Sequence, residues 1–143
     1  MEQTITKVHT VPVSSAVVGP FYVNLVHTHH PEIGTDPRPH NHPVELRIEF
    51  KANRPGGMTF VINQQTKAVL EGIIDDVFSR TFESGTFEDV GELLFCRIES
   101  AIPDLKRRFN RGSYHLSAVR LRVDYDDSPD HPAIPVDYIT RPA

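Results

Sequence analysis

Residues 44–51 alternate without exception between apolar and charged side chains, and this run restricts the possible folds more than any other part of the sequence. A period of two places successive side chains on opposite faces of a strand. The apolar members are Val44, Leu46, Ile48 and Phe50, and the charged members are Glu45, Arg47, Glu49 and Lys51. The run therefore predicts a half-buried β-strand with one face against a core.

The middle of the chain changes to a helical period. An apolar stripe predicts a helix over residues 63–78; its members are Leu70, Ile73, Ile74, Val77 and Phe78. After a break at Ser84-Gly85-Thr86, a second stripe is formed by Phe87, Val90, Leu94, Ile98 and Ala101. Thr86 is a candidate N-cap, and Asp89 three residues later completes a capping box. We expect Pro103 to limit this second helix, because a proline ring clashes with the preceding turn.

The remaining patterned segments predict strands on either side of the two helices. Residues 5–18 and 21–27 are expected to be strands separated by Gly19-Pro20. Residues 116–125 predict a strand after the helices, and the acidic, proline-rich tail 126–143 holds a short edge strand near 136–139 or lies over a neighbour. This order predicts the α+β class, with one antiparallel sheet and both helices on one face. Self-association would cover the open edges of such a sheet.

Length and composition exclude several classes of protein. A chain of 143 residues fits a single domain, 1–143. No apolar run is long enough to cross a bilayer, and the N-terminus lacks the pattern of a secretory signal. The lone Cys96 cannot form an internal disulfide, so we expect a cytoplasmic protein. A net charge of −4 argues against binding to nucleic acid.

Five of the eight histidines lie between His27 and His42. His40 and His42 stand at the start of the central predicted strand and, being two apart, point to the same face. His27 ends the preceding strand, and antiparallel pairing would bring it near His40. Three imidazoles and a water form the open arrangement of a catalytic zinc site. His27, His40 and His42 are therefore candidate ligands of Zn²⁺, with His29 as a substitute.

The His-x-His spacing is also compatible with two alternatives to a zinc site of this kind. Histidines in a proline-rich loop can simply be solvated. A cupin also carries His-x-His, but its Glu lies further beyond the second His than Glu45 lies beyond His42. The second cupin motif, a Gly-Pro-Gly-like stretch followed by His, is missing from the sequence.

From about Val23 to Val123 the chain resembles the 6-pyruvoyltetrahydropterin synthase / 6-carboxytetrahydropterin synthase family, which has the tunnelling fold. The family pattern has a zinc-binding His at the end of strand one and His-Gly-His at the start of strand two. Here those positions are His27 and His40-Asn41-His42. Gly57-Met58 is similar to the family's turn into the first helix, and Lys67-Ala68-Val69 loosely matches that helix.

The resemblance also implies a substrate-binding role for Glu88. This residue follows Thr86-Phe87, at the place where relatives have a Glu that anchors the pterin ring. A carboxylate in the first turn of a helix is favoured by the helix dipole and can accept two hydrogen bonds from an amidine edge. An ordinary first-turn Glu without a ligand is the alternative.

The chain departs from the family at the residues that move protons. Relatives carry a Cys shortly before His-Gly-His, whereas this loop contains no Cys and holds Asp36. Relatives also carry an Asp-His pair after the first helix, where this chain has Phe78-Ser79-Arg80. Asp36 is therefore the candidate catalytic base, and His29 or His30 the candidate acid.

The resemblance implies a divergent metal-dependent enzyme of the lyase, cyclase or isomerase type, acting on a small oxygenated or heterocyclic substrate in specialised metabolism. It also implies an oligomeric barrel, a hexamer formed as a dimer of trimers, with active sites between subunits. The alternative is a non-catalytic protein on the same scaffold that binds a pterin-like or purine-like ligand through Glu88. Both interpretations expect a small-molecule partner and neither nucleic acid nor membrane.

Overall fold

The structure is a computed structural model that describes residues 14–28, 39–52, 64–82, 85–108, 114–125 and 134–143. Within these ranges the chain forms five strands and two helices. Their bounds are β1 Ser14–His27, β2 His40–Ala52, α1 Gln64–Phe78, β3 Thr81–Phe82, α2 Phe87–Arg108, β4 Tyr114–Tyr125 and β5 Ile134–Thr140. The predicted α+β class is confirmed, and the tail contributes the edge strand β5.

The strands form one sheet in the order β3-β1-β2-β4-β5. The pairs β1–β2, β2–β4 and β4–β5 are antiparallel, as predicted. The two-residue β3 runs parallel to the end of β1, which makes the sheet mixed. No sequence pattern indicates so short a strand. Its consequence is that the chain leaving α1 is placed directly beside His27.

Both helices cover the same face of the sheet. The alternate residues Leu46, Ile48 and Phe50 of β2 are fully buried. They form one core with the apolar stripes of the helices, including Leu70, Ile74, Leu94 and Ile98. Each such side chain contributes roughly 1.5–3 kcal/mol when removed from water. We call this side of the sheet the helix-covered face and the opposite side, which carries Glu45, Arg47, Glu49 and Lys51, the helix-free face.

The helix-free face is built from paired opposite charges. Arg47 donates to Glu45 at 2.5 Å within β2. Glu49 is only 6% exposed, and its carboxylate accepts from the Ser117 hydroxyl at 3.0 Å and from Arg120 Nη2 at 2.9 Å. A buried carboxylate requires such partners, because an uncompensated charge in a protein interior is costly.

Strand β1 continues through Gly19-Pro20, so the prediction of two separate strands was wrong at this point. The Gly19–Pro20 peptide bond is cis, and Gly19 has a φ of 127°. The pairing with β2 shifts between Val18 and Phe21. A Cβ on Gly19 would lie 2.8 Å from the carbonyl oxygen of Leu46, so a glycine is required where the bulge passes the neighbouring strand.

Helix α2 begins as predicted but ends later. Thr86 and Asp89 form the capping box, because Asp89 N donates to Thr86 Oγ1 and Thr86 N donates to Asp89 Oδ2, both at 3.1 Å. The helix then passes Pro103 and ends at Arg108, so the expected limit at Pro103 was wrong. Pro103 is exposed, and the buried Ile102 and Leu105 on either side hold the helix against the sheet.

In the part of the chain that the structure describes, neither helix combines the length and the apolar character needed to span a bilayer. Gly57-Met58, one of the family-like motifs, lies outside the described residues.

Candidate metal centre

Three imidazole rings meet where β1 ends and β2 begins. His27 and His40 are direct cross-strand partners, and His42 is paired with Leu25 one step further along. The ring centroid of His27 lies 4.5 Å from that of His40 and 5.0 Å from that of His42, and the His40 and His42 centroids are 4.8 Å apart. One nitrogen from each ring lies within 4.8 Å of the others. The structure thus brings together the three histidines that the spacing selected.

The alternation of the strands explains why all three rings lie on one side of the sheet. His40 and His42 share the parity of Val44 and Leu46, and His27 shares that of Leu25, so all of them lie on the helix-covered face. His27 is 5% exposed, whereas His40 and His42 are half-buried. The cluster therefore joins the core on one side and opens toward the end of the sheet on the other.

The ring of His27 is held by a backbone carbonyl that is distant in sequence. His27 Nδ1 lies 2.8 Å from the oxygen of Gly85, 58 residues away. A carbonyl oxygen can only accept, so Nδ1 carries a proton and, in the neutral ring, the lone pair resides on Nε2. Metal-binding histidines commonly have their other ring nitrogen fixed in this way.

Two contacts bring Gly85 to this place. Thr28 N donates to the oxygen of Phe82 at 2.9 Å, which extends the parallel pairing of β3 with β1. Gly85 then packs against Phe82 so closely that a Cβ at Gly85 would lie 2.8 Å from the Phe82 Cβ. Because real Cβ atoms essentially never approach that closely, a glycine is needed here.

Aromatic side chains close the inner side of the cluster. The ring centroid of Phe87 lies 5.3 Å from that of His27 and 5.2 Å from that of His42. Phe87 also stacks on Tyr138 of β5, with centroids 4.9 Å apart. Apolar groups that surround a cluster of ligands keep water away and lower the local dielectric constant.

The donor set suits a zinc ion. Three imidazole nitrogens provide borderline-soft donors without charge, and three protein ligands leave a fourth position for water or substrate. Zinc–nitrogen bonds of about 2.0–2.1 Å in a tetrahedral arrangement separate the nitrogens by about 3.3 Å. The nitrogens here lie within 4.8 Å of one another, so small rotations of the side chains suffice to bring them to that separation.

Of the other predicted site residues, Glu88 belongs to the described part of the chain and is not one of the three clustered residues. Glu88 lies in the first turn of α2, is exposed, and borders a groove formed with Glu92 and the chain end at Thr140 and Arg141. His29 and Asp36 lie outside the described residues.

Sequence reasoning missed two residues at the cluster. Phe87 was predicted as a member of the core stripe, and Gly85 as part of a break before α2. The capping box was the only sequence signal near these residues, because it marks where α2 begins. The local sequence does not indicate that the start of α2 lies against β1.

No protein-family model and no curated protein matches the sequence. Solved structures do match the fold. The 6-pyruvoyl tetrahydropterin synthase of Plasmodium vivax superimposes with a TM-score of 0.51 and 11% identity, covering 91% of this chain and 99% of that chain. A catalytic-residue mutant of the same enzyme gives 0.51 and 12% identity, with the same coverage. The Plasmodium falciparum enzyme gives 0.49 and 13% identity, covering 90% and 98%.

The likeness to the Plasmodium vivax structures, which spans nearly all of both chains, shows the fold. This chain has the tunnelling fold. The fold implied by the family resemblance is therefore confirmed, at an identity low enough to mark a divergent sequence.

Proposed function

We propose that the protein binds Zn²⁺ through His27, His40 and His42 and acts as a divergent pterin-synthase-like enzyme of the lyase, cyclase or isomerase type. The observation that carries the proposal is the convergence of one nitrogen from each of the three rings within 4.8 Å. The fold shared with a 6-pyruvoyl tetrahydropterin synthase supports it, since that scaffold is used by an enzyme acting on a small heterocyclic compound. A small oxygenated or heterocyclic molecule is the proposed substrate.

When bound, a zinc ion in such a site polarises a carbonyl group or activates a water molecule. The protein's own residues hold and orient the reacting groups. Gly85 fixes the tautomer of His27, and Phe87 excludes water from the inner side of the cluster. Glu88 is the proposed substrate anchor, accepting hydrogen bonds from an amidine-like edge. Asp36 is the proposed catalytic base and His29 the proposed acid; both assignments rest on the sequence alone.

The direct test is metal analysis of the purified protein beside a His40→Ala/His42→Ala variant. We expect close to one equivalent of zinc in the wild-type protein and background levels in the variant. His115→Ala is the matched control, because His115 is an exposed histidine on β4 and not part of the cluster. Equal zinc in the wild-type protein and the double variant would contradict the proposal.

A non-catalytic ligand-binding protein on the same scaffold is the second candidate. The sequence favours it in one respect, because the Cys and the Asp-His pair with which relatives move protons are both replaced. Calorimetric titration with pterins and with guanine separates the two functions. Tight binding without turnover, lost in Glu88→Ala, would support the binding protein, whereas conversion of a bound compound would support the enzyme.

We also propose that the chain assembles into a homo-oligomeric barrel, a hexamer formed from two trimers, in the cytoplasm. Large apolar side chains are exposed near both open edges of the sheet. Val17 of β1, which lies away from the two residues that pair with β3, is 49% exposed, and Ile134 and Ile139 of β5 are 63% and 45% exposed. Pairing between such edges would cover them. Light scattering coupled to size-exclusion chromatography measures the assembly directly, and a monomeric mass at micromolar concentration would contradict the proposal.

A further inference from the structure

The peptide group between Gly85 and Thr86 links His27 to the first turn of α2. Its carbonyl oxygen, on Gly85, lies 2.8 Å from His27 Nδ1. Its amide nitrogen, on Thr86, donates to Asp89 Oδ2 at 3.1 Å. The oxygen and hydrogen of a trans peptide point in opposite directions within one rigid plane. The two hydrogen bonds therefore constrain the same unit from its two sides.

Asp89 is itself fixed to the helix. Its backbone N donates to Thr86 Oγ1 at 3.1 Å, and Val90 N donates to the Thr86 carbonyl oxygen at 3.1 Å. The carboxylate that holds the peptide thus belongs to the regular first turn of α2. A change at Asp89 would reach His27 through only one intervening group.

The charge of Asp89 also affects the strength of the hydrogen bond between His27 Nδ1 and the Gly85 carbonyl oxygen. A carboxylate that accepts from the N–H of a peptide polarises that peptide, which makes its carbonyl oxygen a better acceptor. A stronger bond at Nδ1 raises the basicity of the ring and its quality as a metal ligand.

We propose that Asp89 is a positioning residue of the metal centre, acting through the Gly85–Thr86 peptide to fix the orientation and tautomer of His27. This inference rests on the proposed metal binding. The capping box then has two roles: it starts α2, and it helps to orient His27. Asp89 contributes to the affinity for the metal although its carboxylate binds the peptide and not the metal cluster.

The test compares Co²⁺ titrations of the wild-type protein with three variants, following the visible absorption of the bound ion. Asp89→Ala is expected to weaken Co²⁺ binding by about tenfold and to alter the absorption band, as loss of an outer partner does. Asp89→Glu should restore both, because Glu at this position also completes a capping box. Thr86→Ala is the control: it removes the other half of the box and so weakens the start of the helix, but it leaves the acceptor of the Thr86 N–H in place.

A measurement on metal-free protein separates this inference from the proposed function. The ¹⁵N chemical shifts of His27 report its tautomer, and we expect the Nδ1–H form in the wild type, Asp89→Glu and Thr86→Ala, and a mixture of tautomers in Asp89→Ala. Unchanged Co²⁺ affinity, absorption and tautomer in Asp89→Ala would overturn the inference while leaving zinc binding intact. A wild-type protein that takes up neither Co²⁺ nor Zn²⁺ would overturn the proposed function and the role in metal binding together, whatever the tautomer.

Discussion

The two faces of the central sheet use polar side chains in opposite ways. On the helix-free face, unlike charges alternate, so Glu45 lies against Arg47 and the carboxylate of Glu49 lies against Arg120. At the end of the helix-covered face, three side chains of the same kind, His27, His40 and His42, converge.

This difference distinguishes polar groups that satisfy one another within the fold from polar groups that could together hold a metal ion. Opposite charges compensate one another, and the carboxylate of Glu49 is satisfied by side chains of its own chain. Three like donors cannot compensate one another in that way, whereas a single cation accepts a lone pair from each. The same strand, β2, contributes to both arrangements, with alternate residues on the two faces.

The largest effect is expected from the histidine cluster. His42→Ala removes one of the three proposed ligands and should weaken Zn²⁺ binding by more than about 100-fold, since loss of an outer partner alone costs up to that much. Competition with a zinc-binding dye measures the affinity. The urea midpoint of the metal-free protein should stay near that of the wild type. If His42→Ala instead strongly lowered the stability of the metal-free protein and left the Zn²⁺ affinity unchanged, His42 would serve the fold, as the charged residues of the helix-free face do.

The next effect concerns the buried carboxylate. Glu49→Ala removes the acceptor of Ser117 and Arg120 and should lower the free energy of unfolding by about 2 kcal/mol, discounted because the Arg120 side chain is 37% exposed. Urea denaturation measures this change. Zinc affinity should be unaffected. Glu49→Gln is the matched control and should lose less stability, because its side-chain oxygen still accepts from Ser117. Equal stability of the wild type and Glu49→Ala would show that this network contributes nothing to the stability of the fold.

A smaller effect is expected where α2 approaches the sheet. A Cβ on Gly91 would lie 2.6 Å from Thr140 Oγ1 and 3.0 Å from Leu121 Cδ1. Gly91→Ala should therefore cost about 1–2 kcal/mol of unfolding free energy by overpacking, although Thr140 can rotate its hydroxyl. Gly72→Ala in α1 meets nothing within 4 Å and should instead stabilise the protein by up to about 1 kcal/mol, as alanine favours helices. A melting temperature of Gly91→Ala equal to or above that of the wild type would refute the close approach.

The smallest effect is a dependence on pH at the helix-free face. The hydrogen bond from Arg47 lowers the pKa of Glu45 below 4.5, and the charges of Arg47 and Arg122 act in the same direction. A carboxyl whose pKa is lowered by folding stabilises the protein above its unfolded pKa and loses that contribution as the pH falls through its folded pKa. The wild-type protein should therefore lose more stability below pH 4.5 than Glu45→Gln does. Acid unfolding followed by circular dichroism measures this difference. An identical loss of stability with falling pH in the two proteins would contradict the prediction.

The parts of the fold with a clear period were predictable. The alternation around Leu46 and the stripe around Ile74 gave β2 and α1 nearly to their ends, and Thr86 with Asp89 placed the start of α2. Pro103 misled because a single proline removes one backbone hydrogen bond, which the packing of Ile102 and Leu105 outweighs. Gly19-Pro20 misled because a glycine with positive φ lets a strand bulge instead of ending.

The convergence of the three histidines was predictable, but their surroundings were not. The spacing of His40 and His42 and the parity of His27 follow from strand geometry, which is local. The contacts of His27 with Gly85 and Phe87 depend on a two-residue parallel strand that no pattern indicates. Long-range contacts of this kind follow from the packing of α2 on the sheet, which the sequence of either segment alone does not encode.

The direct opposition of His27 and His40 across β1 and β2 has a consequence for folding. If the two strands slid past each other by a single residue, one ring would be carried to the far side of the sheet and the trio would be dispersed. Correct strand alignment is therefore a precondition for the cluster, and a chain that gathers these rings has already aligned its central hairpin.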